Sequence, residues 1–212
     1  MTRLLVVLDV DSTLIDQEAI ELLADEAGSG AHVAAITARA MAGELDFAQS
    51  LADRVATLAG LEVRAIQRAL GRINLTPGAR ELIGGVHAAG GRVAVVSGGF
   101  HEILDPIAVD LDLDGHLANR LAVENGRLTG STVGPVIDAA AKARAVQEWA
   151  HLFGVPLRRT IVVGDGANDL MMMALAGLSI AFDATSVVRT TAHLSLPDRD
   201  LSSVLAVLGL RG

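Results

Sequence analysis

Four carboxylates and a glycine-flanked serine stand where short apolar runs stop. Leu4-Leu5-Val6-Val7-Leu8 ends at Asp9-Val10-Asp11-Ser12-Thr13, and Thr160-Ile161-Val162-Val163 ends at Gly164-Asp165-Gly166-Ala167-Asn168-Asp169. A third run, Val93-Ala94-Val95-Val96, ends at Ser97-Gly98-Gly99. Residues two apart in extended chain point the same way, so Asp9 and Asp11 face one side while Val10 turns from it. Carboxylates gathered at one edge repel each other and call for a cation. Oxygen ligands with room for water and phosphate suit Mg2+ better than zinc. A lone strand-end aspartate is more simply a helix cap; three acidic or hydroxyl strand ends together make a site. Ser97-Gly98-Gly99 leads into a helix starting near Phe100, so a hydroxyl and free backbone N–H groups are available to an anion. Lys142 is the only lysine against sixteen arginines. Two readings of it stand side by side: a compact charge bridging carboxylate and phosphoryl oxygens, or a solvated residue on an amphipathic helix.

The elements that must position these residues follow from periodicity. The three runs are apolar on both faces, as in strands at the middle of a parallel sheet, and weaker strands follow at Ser179–Phe182 and His193–Leu196. Between them lie helices, one with Thr76 as N-cap, Pro77 at its first position and a stop at Gly90-Gly91. Another runs from about Pro135 to His151. Alternation of this kind predicts an α/β fold with a doubly wound, Rossmann-like parallel sheet. The segment 16–74 breaks the alternation with four helical stripes and no strand, too long for a plain crossover. It is expected to be an inserted helical bundle over the carboxyl edge of the sheet, with 1–15 and 75–212 forming the core. Val123 and Leu128 around Asn125-Gly126 predict a separate hairpin near 117–133.

Composition narrows the chemistry. The 212 residues carry a net charge of −8, no cysteine, four Phe, one Trp and no Tyr. Disulfides, thiol catalysis and cysteine zinc sites are excluded. The acidic balance and scarce aromatics argue against nucleic acid. The longest uncharged stretch, Leu170–Phe182, falls short of the roughly 20 residues that span a bilayer, and the run Leu4–Leu8 meets Asp9 too soon for a signal-peptide core. A cytoplasmic protein with no membrane partner is expected; nothing marks a dimer face, so monomer and homodimer both stand. No Walker A sequence is present, and Gly164-x-Gly166-x-x-Asp169 departs from the dinucleotide fingerprint at its last position.

Asp9-Val10-Asp11-Ser12-Thr13, Ser97, Lys142 and Gly164-Asp165-Gly166-x-Asn168-Asp169 together resemble the four motifs of the haloacid dehalogenase superfamily of phosphotransferases, in order across the core. Ala40-Met41-x-Gly43-Glu44-x-x-Phe47-x-x-Ser50-Leu51-x-x-Arg54-Val55 resembles the cap of its phosphoserine phosphatase branch. The resemblance implies Asp9 as nucleophile, forming an aspartyl-phosphate, and Asp11 as the acid and then the base. It implies Mg2+ held by Asp9, the Asp11 carbonyl and Asp165, and the phosphoryl group held by Ser97, Gly98 and Lys142. Asn168 and Asp169 would orient substrate and metal ligands. In the cap, Arg54 would take a substrate carboxylate and Glu18 its ammonium, with Met41 and Phe47 as an apolar lid. Taken alone, Arg54 and Glu18 read as surface residues and Met41 and Phe47 as bundle core. The implied activity is Mg2+-dependent hydrolysis of O-phospho-L-serine, the step that releases serine in its biosynthesis. Action on another small phosphorylated metabolite, by hydrolysis or transfer, is the alternative. A non-catalytic binding module would be expected to have lost Asp9 or Asp11, and both are present.

Overall fold

The computed structural model describes residues 4–41 and 44–210. The side chain of Met41, together with Ala42 and Gly43, lies outside the described residues. The first strand, β1 (Leu5–Leu8), is wholly buried. Its alternation divides the core, because successive side chains of a strand point to opposite faces. Val6 and Leu8 join one apolar cluster, and Leu5 and Val7 join the other. Four helices follow in the segment expected to be inserted: α1 (Ala19–Ala27), α2 (Gly30–Met41), α3 (Phe47–Ala56) and α4 (Arg64–Leu70). The chain then runs through α5 (Ala79–Ala88), β2 (Arg92–Phe100), α6 (His101–Asp110), β3 (Gly115–Glu124) and β4 (Arg127–Val133). It closes with α7 (Ala139–Leu152), β5 (Thr160–Gly164), α8 (Leu170–Met173), β6 (Leu178–Phe182), α9 (Ser186–Thr191), β7 (Leu194–Leu196) and α10 (Ser202–Leu208).

Among the described residues the strands form one sheet in the order β4-β3-β2-β1-β5-β6-β7, parallel except for β4. Strand β1 lies between β2 and β5, with Val6 opposite Val93 on one side and Ile161 on the other. Strands are added to one side and then to the other, so the crevice at the carboxyl ends of β1, β2 and β5 is a topological switch point. Helices α5, α6 and α10 pack on the face of Val6 and Leu8, and α7 to α9 on that of Leu5 and Val7. Buried residues of α1 to α4, among them Leu23, Val33, Leu51 and Ile66, belong to the first cluster as well. The two crossings into that helical segment lie side by side. Ile15 bridges Leu75, and Asp16 N–H donates to the Asn74 carbonyl at 3.0 Å.

Three sequence expectations are corrected. Helix α5 starts at Ala79, not Pro77, because Gly78 adopts a left-handed φ of 77° and ends the extended entry there. Thr76 is therefore no side-chain cap; it is buried, its hydroxyl has no partner among the described residues, and its carbonyl accepts Ala79 N–H. Helix α7 starts at Ala139, where Asp138 caps it by accepting Ala141 N–H at 2.7 Å. The hairpin is not separate: β3 pairs in parallel with β2, so the hairpin extends the main sheet. Its register is the expected one, with Val123 opposite Leu128. Asn125 and Gly126 both take positive φ, 49° and 73°, as a two-residue turn with the right twist demands.

Candidate active site

Asp9 continues the β1 ladder by one bond, its N–H donating to the Val163 carbonyl at 2.9 Å. The chain then turns tightly through Val10–Leu14, with Ser12 at a φ of 57°. This conformation is uncommon for a residue with a side chain, and it is braced from both sides. Ser12 Oγ donates to Glu18 Oε1 at 2.8 Å, and Arg199 donates to the Ser12 carbonyl at 3.2 Å while pairing with Asp16 and Asp183. Asp11 is held by both oxygens. Oδ1 accepts Ala19 N–H at the start of α1, at 2.7 Å, and Oδ2 accepts the Ser97 hydroxyl, also at 2.7 Å. Gly99 N–H in turn donates to Ser97 Oγ at 2.7 Å. A Cβ on Gly99 would lie 2.8 Å from Asp11 Oδ2, and one on Gly98 would lie 2.9 Å from Phe47 Cζ. Only glycines let this end of β2 approach both neighbours.

Lys142, 1% exposed, donates to Asp9 Oδ1 at 2.6 Å and to Asp169 Oδ1 at 2.8 Å. It is no solvated helix residue. Asp169 also accepts Gly166 N–H, and Asp165 Oδ1 accepts the buried Thr13 hydroxyl at 3.3 Å. Burial, then the nearby Asp169, pushes the Asp9 carboxyl well above the usual carboxylate range. The same two causes raise Asp165 to about 6. Burial opposes the Lys142 charge, but Asp9 and Asp169 outweigh it and hold the ammonium above its ordinary value. Asp9, Asp165 and Asp169 each bring a carboxylate oxygen within 4.8 Å of the others. Asp11 adds a fourth negative group beside a single ammonium, so the excess negative charge and the all-oxygen donors fit a hard divalent cation.

A cavity of about 280 Å³ opens on this edge, lined by Asp9, Asp11, Gly98, Asp165 and Asn168 from the sheet side. Glu18, Phe47 and Arg54 line it from the helical segment, with Ile20 and Leu51 between them. Burial, then Asp11, raises Glu18 to about 7, and burial lowers Arg54 from its ordinary value. Ser97 and Lys142 stand behind the wall, bonded to Asp11 and Asp9, and Asp169 lies behind them, bonded to Lys142. A second cavity, of about 430 Å³, shares Phe47, Arg54 and Asn168 with the first.

The family model for haloacid dehalogenase-like hydrolases matches residues 6–174. The chain belongs to that family. It is 49% identical over 209 residues to phosphoserine phosphatase SerB2 of Mycobacterium tuberculosis, covering 99% of this chain and 51% of that protein. It is 48% identical over 201 residues to the phosphoserine phosphatase of Lactococcus lactis, covering 95% and 93%. A Streptomyces coelicolor phosphoserine phosphatase is 50% identical, with 97% and 50% covered. The chain thus spans about half the length of the Mycobacterium and Streptomyces relatives. A solved phospho-aspartyl intermediate analogue of phosphoserine phosphatase superposes with a TM-score of 0.92 at 41% identity, covering 98% of this chain and 99% of that one. A substrate-bound phosphoserine phosphatase complex superposes equally well, at 40% identity.

Several residues of this family site escape sequence reasoning. Thr13 ends the first motif, but nothing in the sequence says that it bonds Asp165, 152 positions away. Arg199 is one of many arginines, and only the fold brings it to Ser12. Phe100, Ile20 and Leu51 belong to the buried core and also line the cavity. A second polar cluster, His101, Asp105 and His116, offers ligand atoms within 4.8 Å of one another. Ala118 N–H donates to His101 Nε2 at 3.2 Å, so the neutral ring carries its proton on Nδ1 and donates it to Asp105 at 2.7 Å. That cluster ties α6 to β3 and has no lone pair of His101 to spare for a metal.

Proposed function

We propose that this chain hydrolyses O-phospho-L-serine to L-serine and phosphate through an aspartyl-phosphate on Asp9. The observation that carries the reading is the meeting of two kinds of wall in one cavity. The sheet edge offers Asp9 and Asp11, while the helical segment offers Glu18 and Arg54. A phosphorylated amino acid has one group for each: a phosphoryl for the edge, an ammonium for Glu18 and a carboxylate for Arg54. The names of the relatives and of the superposed structures support the same substrate.

Lys142 holds Asp9 Oδ1, and among the described residues Asp9 Oδ2 accepts no hydrogen bond. We assign Oδ2 to in-line attack on phosphorus. Asp11, held by Ala19 N–H and Ser97, protonates the departing seryl oxygen and then takes a proton from the water that opens the acyl phosphate. Gly98, with Ser97 behind it, cradles the phosphoryl oxygens, and Asn168 orients the substrate. Mg2+ is the cation we place here, held by Asp9, Asp165 and the Asp11 carbonyl with Asp169 behind them. When bound it neutralises the phosphoryl oxygens and lets one anion approach another. Phe47 closes the cavity against water, and Met41, whose side chain is not described, is proposed for the same lid. Residues 16–74 act as a cap on a core of 1–15 and 75–212, in a cytoplasmic enzyme of serine biosynthesis. Among the described residues no helix is long and apolar enough to cross a membrane.

Phosphate release from a panel of phosphomonoesters, with Mg2+ and with EDTA, tests the reading. Mg2+-dependent release from phosphoserine in preference to phosphothreonine, phosphoethanolamine and sugar phosphates is expected. Release from the others but not from phosphoserine would keep the Asp9 chemistry and discard the assigned roles of Glu18 and Arg54.

A further inference from the structure

Asn119 lies in β3, 2% exposed, and does not line the cavity. The β2–β3 ladder loses register between Val96 and Phe100, and Asn119 pairs with Phe100 just beyond the break. Its side chain fills the gap. Nδ2 donates to the Gly98 carbonyl at 2.8 Å, and Oδ1 accepts Ile137 N–H at 2.9 Å. Each end of the amide meets its complement, so the group has one orientation.

Two branches of the site converge on that amide. The Gly98 carbonyl and Gly99 N–H belong to one rigid peptide plane. The far side of the plane donates to Ser97 Oγ, which donates to Asp11 Oδ2, each at 2.7 Å. On the other branch, Ile137 precedes Asp138, the cap of α7, and Lys142 follows one turn later. We infer that Asn119 is a positioning residue for phosphoryl transfer. It sets the tilt of the Gly98–Gly99 peptide and, through Ser97, the aim of Asp11, without touching substrate. The inference rests on the hydrolase reading above.

The test compares Asn119→Leu, which removes both bonds, with Asn119→Asp, which keeps the acceptor for Ile137 and loses the donor to Gly98. Ser179→Ala is the control, since Ser179 is equally buried, bonds His193 and lies outside the cavity. Both Asn119 variants should lose about tenfold or more in kcat on phosphoserine while KM stays within about threefold, as for an interaction that matters in the transition state. The control should melt earlier with kcat kept. In a Ser97→Ala background, Asn119→Leu should cost less than about twofold more, because the effect runs through Ser97. A kcat within about twofold of wild type in folded Asn119→Asp, or full additivity with Ser97→Ala, would overturn the inference. Asn119→Asp is near-isosteric and decides the matter if Asn119→Leu does not fold. A wild-type chain that releases no phosphate would instead overturn the hydrolase reading, and this inference with it.

Discussion

Arg54 and Glu18 illustrate how burial changes what a charged residue is for. Arg54 donates to its own helix at the Ser50 carbonyl, 3.2 Å away, and lines the cavity with Glu18. If it binds a carboxylate, Arg54→Ala removes a charge-assisted contact of about 1.5–3 kcal/mol. KM for phosphoserine should rise about ten- to hundredfold while hydrolysis of an aryl phosphate without a carboxylate persists; equal losses on both substrates would sink the role. Glu18 has a pH signature. Burial and Asp11 raise it to about 7, so the free site loses the Glu18 charge as pH falls through neutrality. KM for phosphoserine should therefore climb from about pH 8 to about pH 6, and Glu18→Gln should flatten that climb. The motif residues were legible because phosphoryl transfer demands carboxylates, a cation and a glycine turn at strand ends. Asn119 and Arg199 were not, because one asparagine in a strand and one arginine in a loop carry no such signature.

At the scale of elements, the connection from α6 into β3 hangs on Asp114. Its Oδ2 accepts Val93 N–H and pairs with His87 Nε2, both at 2.8 Å, and Arg92 pairs with its other oxygen. Burial pushes this carboxyl up, but Val93 N–H, Arg92 and His87 outweigh it and hold it below the usual carboxylate value. A depressed acid stabilises the fold above its unfolded value, near 3.9, and that contribution is lost as pH falls through the folded value. Asp114→Asn should cost about 1–2 kcal/mol in urea unfolding at neutral pH, with the gap to wild type closing in acid. A gap that persists unchanged at low pH would assign the loss to packing. The sequence does not mark strand β3 as part of the main sheet, because His116, Asn119 and Arg120 interrupt its apolar pattern. The start of α5 is not legible, because Thr76-Pro77 has the composition of a helix entry while the left-handed Gly78 decides where the helix begins.

Across the whole molecule, the acids at the switch point work against the fold that gathers them. Asp9, Asp165 and Glu18 are all raised, so in their titration range the folded chain binds more protons than the unfolded one. Their contribution to stability is full below the unfolded values, near 4, and falls as pH rises through the folded ones, about 6 for Asp165 and about 7 for Glu18. A divalent cation competes with those protons and stabilises the folded state by mass action. The difference in Tm between Mg2+ and EDTA should grow from about pH 5 to about pH 8; a difference independent of pH would place the cation away from these carboxylates. The sequence by itself determined the alternation of buried strands and helices, the helical segment after the first strand, and which residue types stand at the strand ends. Those features are local, set by periodicity and by residues within a few positions of one another. Only the tertiary structure decided that Lys142 spans Asp9 and Asp169, that Arg199 braces Ser12, and that Asn119 closes the gap beside Gly98. Those contacts join segments far apart in the chain, so they exist only once the sheet has brought its strand ends to one edge.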